Sequence, residues 1–222
     1  MTYAMTDSDR RDARAKIHQA ALRLFAERGA GALAVSELAE AAGMARGTIY
    51  NNIENPDTLF NDVAAGLSAE MIARTEATMA AIDDPAARLA TGLRLFVRRA
   101  HEEPHWGRFI VRFALGNSAL RDMMDKPPAR DIAQGIETSR FKLDPAKLNA
   151  MASLLIGALL AAMNAVLSGH QTWRDAGSNA AELFFRAAGV SPAEARRLSH
   201  AELSPLASVS SATPRASKGK QK

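Results

Sequence analysis

Val35-Ser36-Glu37-Leu38-Ala39-Glu40-Ala41-Ala42-Gly43-Met44-Ala45-Arg46-Gly47-Thr48-Ile49-Tyr50-Asn51-Asn52-Ile53 decides the fold, because it reads as two short helices meeting at a tight corner. Leu38, Ala39 and Ala42 fall at i, i+1 and i+4 and so share one face of the first helix. Gly43 ends that helix, since glycine enters the left-handed conformation without a Cβ penalty. Ile49 and Ile53, one helical turn apart, give the second helix its inward stripe. Ala39 sits one turn before Gly43, where the two helices cross closely and a larger side chain would hold them apart. The pattern is that of a helix-turn-helix.

The flanks extend it. Ile17, Ala20, Ala21, Leu24 and Phe25 form a helical stripe that ends in Glu27-Arg28-Gly29. Downstream, Asn55-Pro56-Asp57-Thr58-Leu59-Phe60 is a capped helix start, with proline suited to the first helical position. The run from Ile17 to Leu59 resembles the N-terminal domain of the TetR (tetracycline-repressor) family of bacterial transcription regulators. That resemblance implies an all-α fold. Residues 1–55 would be the DNA-binding domain, 56–203 a helical ligand-binding and dimerisation domain, and 204–222 a disordered basic tail. It also implies that Arg46 to Asn52 is the recognition helix. Ala45, Arg46, Gly47, Thr48, Tyr50, Asn51 and Asn52 would then lie at the duplex, with Ser36 on a phosphate. Arg46 is suited to guanine or phosphate, and Thr48 to a base edge or a thymine methyl.

Two positions depart from the family pattern. Ala34 stands where relatives place a capping threonine; Glu37 keeps the acid half of that capping pair, and a lost cap hydroxyl costs about 1 kcal/mol. The free N–H groups of that helix start still suit a phosphate. Pro56 stands where relatives often carry a phosphate-binding lysine, so weaker and less salt-sensitive DNA binding is expected.

Composition agrees with a helical protein: apolar residues reach 47% while aromatics are 5%, with alanine abundant and β-branched residues sparse. The absence of cysteine excludes disulfides and Cys-based zinc sites. Met1 to Asp12 is polar, with no apolar segment of a signal peptide, so a cytoplasmic location is expected. The net charge of +4 equals the four basic residues of the tail, Arg215, Lys218, Lys220 and Lys222. The rest of the chain therefore sums to zero, and any positive field must come from local placement. Arg10, Arg11, Arg14 and Lys16 supply such a place at the start of the first helix, either as DNA contacts or as a solvated helix face. Met1 to Asp9 is expected to be loose.

In the body, His101-Glu102-Glu103-Pro104-His105 matches the zinc-protease pattern HExxH. That chemistry needs both imidazoles on one unbroken helix, and Pro104 forbids it, so no metal and no enzymatic role are expected. Leu120, Met123 and Met124 form a short segment that Pro127-Pro128 should end, and Ile132, Ile136 and Phe141 mark the next helix. Leu148 to Trp173 holds no Asp, Glu, Lys or Arg. It is long enough to span a membrane, yet its Ala, Gly, Ser and Asn content fits a helix buried in a bundle, and no membrane is expected. Gly157 and Ala161 permit close approach of another helix; with Leu183 and Phe184 they resemble the family's dimer interface.

The family resemblance thus implies a homodimeric repressor of a palindromic operator, released by a small effector, with no other cofactor. Phe96, Trp106, Phe109, Phe113, Met123, Met151 and Met163 are candidate pocket linings, with Asn164 as a polar handle, although ordinary core is the better account of any one of them. No charged cluster accompanies them, which favours an apolar or neutral ligand. The rival reading is a helical interaction module without a DNA role.

Overall fold

The computed structural model describes residues 7–31, 33–53 and 55–208, and among them there are ten α-helices and no strand. The first three make the head: α1 (Asp7–Arg28), α2 (Val35–Ala42) and α3 (Arg46–Asn52). The body is built from α4 (Leu59–Thr78), α5 (Pro85–Glu102), α6 (Pro104–Phe113), α7 (Ser118–Glu137), α8 (Leu148–Leu167), α9 (Trp173–Ala187) and α10 (Pro192–Ser199). The expected loose segment is corrected in part: Asp7 to Asp9 already belong to α1, while residues 1–6 lie outside the described residues.

Local chemistry starts most helices. Asn55, Asp84, Asn117, Thr172 and Ser191 each accept a backbone N–H as side-chain caps, and Pro56, Pro85 and Pro192 follow at first helical positions. Asn55 opens a 3₁₀ turn, Pro56–Thr58, that runs directly into α4. Head and body share one hydrophobic core. Their junction is a cluster of phenylalanines from three helices, in which Phe60 lies 5.2 Å from Phe25, 5.5 Å from Phe109 and 5.0 Å from Phe113. Nearby, buried Arg99 reaches Glu70 of α4 and Glu103 at the α5–α6 corner, with its guanidinium 4.5 Å from the Trp106 ring.

Three expectations about the body change. Pro127 and Pro128 do not end a segment, because α7 runs through both of them. An internal proline costs a helix about 3 kcal/mol, but Leu120, Met123 and Met124 before the pair and Ile132 after it are buried against neighbouring helices, and that packing prevails. The expected helix through Phe141 ends instead at Glu137. Ser139 turns left-handed at φ 57°, and the Phe141 ring folds back onto Gly135, where a Cβ would lie 2.1 Å from it. Finally, the tail does not start at Ser204. Leu203 and Leu206 pack on the core, Arg74 donates to the Ala207 carbonyl at 2.7 Å, and the Ala207 N–H donates to Thr78 at 2.8 Å. Composition hid this because α4, not the tail, supplies the partners. The basic residues Arg215 to Lys222 lie outside the described residues.

Candidate nucleic-acid interface

The corner at Gly43 holds the head together. Gly43 adopts φ 65°, ψ 36°, and the Met44 N–H returns to the Ala39 carbonyl at 2.9 Å, closing α2 with a left-handed cap. Ala39, Ile49 and Ile53 are buried where α2 and α3 meet α1. Ala34 makes no side-chain cap, as its methyl requires, and Glu37 does not act as a capping acid. Instead Arg28 donates to Glu37 at 2.9 Å and Arg23 to the Ala41 carbonyl at 3.1 Å, so α1 clasps both ends of α2.

With Ile49 only 1% exposed and turned inward, the opposite face of α3 is presented outward. Ala45, Arg46, Gly47 and Asn51 are exposed, and Tyr50 is 62% exposed, unusual for an aromatic ring in a well-packed head. Ser36 and Thr48 are half-buried beside them. Asn52 donates its amide to the Thr48 carbonyl at 2.8 Å, leaving its oxygen to accept. Arg10, Arg11 and Arg14 of α1 line one groove with Tyr50, Asn51, Asn52 and Ile53. Lys16 is separated from them and faces a second groove, against Glu102 and Glu103. Three arginines beside an exposed polar helix form a local positive surface on a chain that sums to zero charge ahead of its basic tail, the setting in which a phosphate backbone is held.

The HExxH residues are split. His101 lies in the last turn of α5 and His105 in the first turn of α6, with Glu103 between them at φ −125°, ψ 76°. Among the described residues no three His, Asp or Glu side chains gather as a metal set.

The body holds a partly open cavity of about 60 Å³ between α4, α5, α7 and α8. Phe96 and Met123 are on its wall, together with Leu89, Leu93, Met124, Leu155 and Leu159, which spacing had not singled out. The other expected linings sit elsewhere. Trp106, Phe109 and Met163 are fully packed core, Phe113 belongs to the junction cluster, and Met151 is buried away from the cavity. Asn164 points outward from α8 and is no handle for this space. The expected lack of charge is also corrected, since Arg88 and Asp131 line the wall. They lie 43 positions apart, and only the fold pairs them.

Small and apolar residues are left outward on α8 and α9: Ser153, Leu154 (50% exposed), Gly157 and Ala161, then Leu183 (64% exposed). Phe184 is not among them. It is 3% exposed and meets Phe185 edge-on at 5.6 Å, because one residue turns a helix face by about 100°. By length and composition α8 with its lead-in turn could cross a membrane, but it packs against α5, α6, α7 and α9.

Comparisons agree with this architecture. Residues 17–63 match the model for bacterial regulatory proteins of the tetR family, and residues 84–201 match the tetracyclin repressor-like C-terminal domain. The structure of RolR in complex with resorcinol is similar at TM-score 0.66 and 28% identity, over 91% of this chain and 100% of that one. A TetR-like regulator from Rhodococcus sp. RHA1 shares the fold at TM-score 0.67 and 16% identity, over 85% of this chain and 100% of its own. A gamma-butyrolactone receptor (ArpA-like protein) does so at TM-score 0.70 and 16% identity, over 86% and 96%. No curated protein matches the sequence. With a clasped helix-turn-helix at one end and a matched regulatory body over more than half its length, the chain belongs to the TetR family of transcription regulators.

Proposed function

We propose that the protein is a homodimeric repressor that binds a palindromic operator and leaves it when a small molecule enters the body. The observation that carries this is the outward face of α3, polar and aromatic, flanked by Arg10, Arg11 and Arg14 on a head that shares its hydrophobic core with the body. Arg46, Tyr50 and Asn51 reach bases and phosphates there, with Ser36, Ala45, Gly47 and Thr48 close to the duplex and the Asn52 oxygen as a further acceptor. The second copy docks through the outward stripe of Leu154, Gly157, Ala161 and Leu183, where small residues let helices approach closely. Two recognition helices then meet major grooves about 34 Å apart, or a multiple of it.

The cavity supports the release step. It touches α4, the helix that follows the head after the Pro56–Thr58 turn, so an occupant that prefers another spacing of the helices changes the spacing of the heads. That RolR is found with resorcinol supports a small organic effector here. Family members are typically not enzymes, and this chain needs no chemistry of its own for such a role. A cytoplasmic site goes with it. Selection from random duplexes tests the whole reading: two inverted half-sites are expected, whereas no enrichment at low salt, or a strictly monomeric protein, overturns it.

A further inference from the structure

We propose that the cavity selects a neutral, ring-sized apolar molecule carrying a hydroxyl group, and that this hydroxyl donates a hydrogen bond to Asp131. The inference rests on the cavity being the effector site. Hydrogen-bonding capacity at Asp131 points to the chemistry. Asp131 is buried, lines the cavity, and offers two carboxylate oxygens. Oδ1 accepts from Arg88 Nε at 3.2 Å and from Arg130 Nε and Nη2, both at 3.2 Å. Oδ2 receives only the longer arm of the Arg88 Nε bond, at 3.3 Å. One oxygen is therefore saturated and the other has a lone pair to give.

The neighbours add acceptors, beside the N–H groups that Arg88 keeps after bonding Asp131, the Met79 carbonyl and Glu76. Pro127 and Pro128 lack N–H groups, so the carbonyls of Met123 and Met124, both wall residues, lose their helical donors. The Thr75 hydroxyl has already given its proton, to the carbonyls of Met71 and Ile72 at 2.8 and 3.0 Å. An oxygen of Asp131 left to accept, next to N–H groups left on Arg88, suits a hydroxyl, which both donates and accepts. Charge decides what kind of donor. Asp131 and Glu76 face Arg88 and Arg130 in a closed network, two acids against two bases, with Arg88 and Arg130 each 2.9 Å from Glu76. A cationic amine finds no uncompensated anion there, and a carboxylate no uncompensated cation; a hydroxyl fits without either.

Size links occupancy to movement. A cavity near 150 Å³ is what takes a benzene ring, and this one measures about 60 Å³. A ring must part the walls, and the same network ties α7 to α4 through Glu76.

The test uses the full-length protein and three probes of nearly equal shape: phenol, toluene and anisole, titrated calorimetrically. Phenol is expected to bind at least about tenfold more tightly than toluene or anisole, a difference of ~1.4 kcal/mol, although toluene is the more hydrophobic. Asp131→Ala should abolish that preference, while Glu76→Gln, which breaks the network outside the cavity wall, should keep it. Equal binding of phenol and toluene by the native protein, which needs no variant, overturns the inference and leaves the cavity as effector site intact. A phenol preference that survives Asp131→Ala does the same. Failure of all three rings to bind overturns the cavity reading along with it.

Discussion

The head and the cavity are built on opposite plans. In the head, the contacts that set the helix-turn-helix corner lie close in the chain: Gly43 closing on the Ala39 carbonyl, Ile49 beneath Tyr50, Arg28 on Glu37. Around the cavity, the deciding partners come from four helices, and Arg88 meets Asp131 across 43 positions. A surface that reads DNA can be specified by one turn of helix after another. A space that admits a ligand exists only once distant segments have packed.

The Phe25–Phe60–Phe109–Phe113 junction is where these plans meet, and breaking it has the largest expected effect. Phe109→Ala should cost about 3–5 kcal/mol, with head and body still unfolding in one transition by circular dichroism and tryptophan fluorescence. Two separated transitions would make the head an independent unit and dissolve the comparison.

Next in size are changes confined to the reading face. Arg46→Ala or Tyr50→Ala should weaken operator binding by about 10- to 100-fold, because a base contact is worth ~1–3 kcal/mol. Stability should move by no more than ~0.5 kcal/mol, since both side chains are exposed. Retained affinity in a gel-shift titration would remove the head's role.

The body offers a test through acid. Arg140 bridges Asp84, the cap of α5, at 3.0 Å and Glu194 of α10 at 2.6 Å. Hydrogen bonds from Arg197 and Arg140 hold the Glu194 carboxyl down at about 2. Burial pushes the Asp84 carboxyl up, but the Arg140 bond and the Ala86 N–H outweigh it and bring it below its ordinary value. Both folded values are depressed, so their stabilisation is present above the ordinary carboxylate range and is lost as pH falls through it towards 2. Arg140→Ala should therefore cost about 1–2 kcal/mol at pH 7 and progressively less in acid, measured by urea denaturation. An equal cost at pH 7 and pH 2.5 would show that the arginine acts by packing alone.

The smallest effect sharpens the head. Pro56→Lys restores a cation at the start of α4 and should steepen the salt dependence of operator binding by about 0.9 in log–log slope. An unchanged slope would mean that no phosphate passes that corner.

This contrast also explains what was legible in the sequence. Periodicity and turn chemistry sufficed for the helix-turn-helix, for the break at Pro104 and for the cap at Asn55, because each depends on neighbours within a turn or two. They failed at Pro127-Pro128, where burial on both flanks carries a helix through residues that locally end one. Phe184 was misplaced because a dimer face and a core face differ by a single residue step. Trp106 and Phe109 have the chemistry of a pocket wall, yet their surroundings fill with other side chains, which no spacing rule reports. Asp131 carried no signal at all: an acid next to an arginine looks like surface until Arg88 arrives beside it.

The segment from Ala201 to Ala207 has a practical corollary for protein engineers. Arg94 grips the Ala201 carbonyl at 2.7 Å, and Arg74 with Thr78 grips Ala207. A shortened version that stops at Leu203 would strip a brace from the outer end of α4 and disturb effector response without touching either the cavity or the reading face. Truncation belongs beyond Ser208, and any purification handle placed there will emerge beside α4.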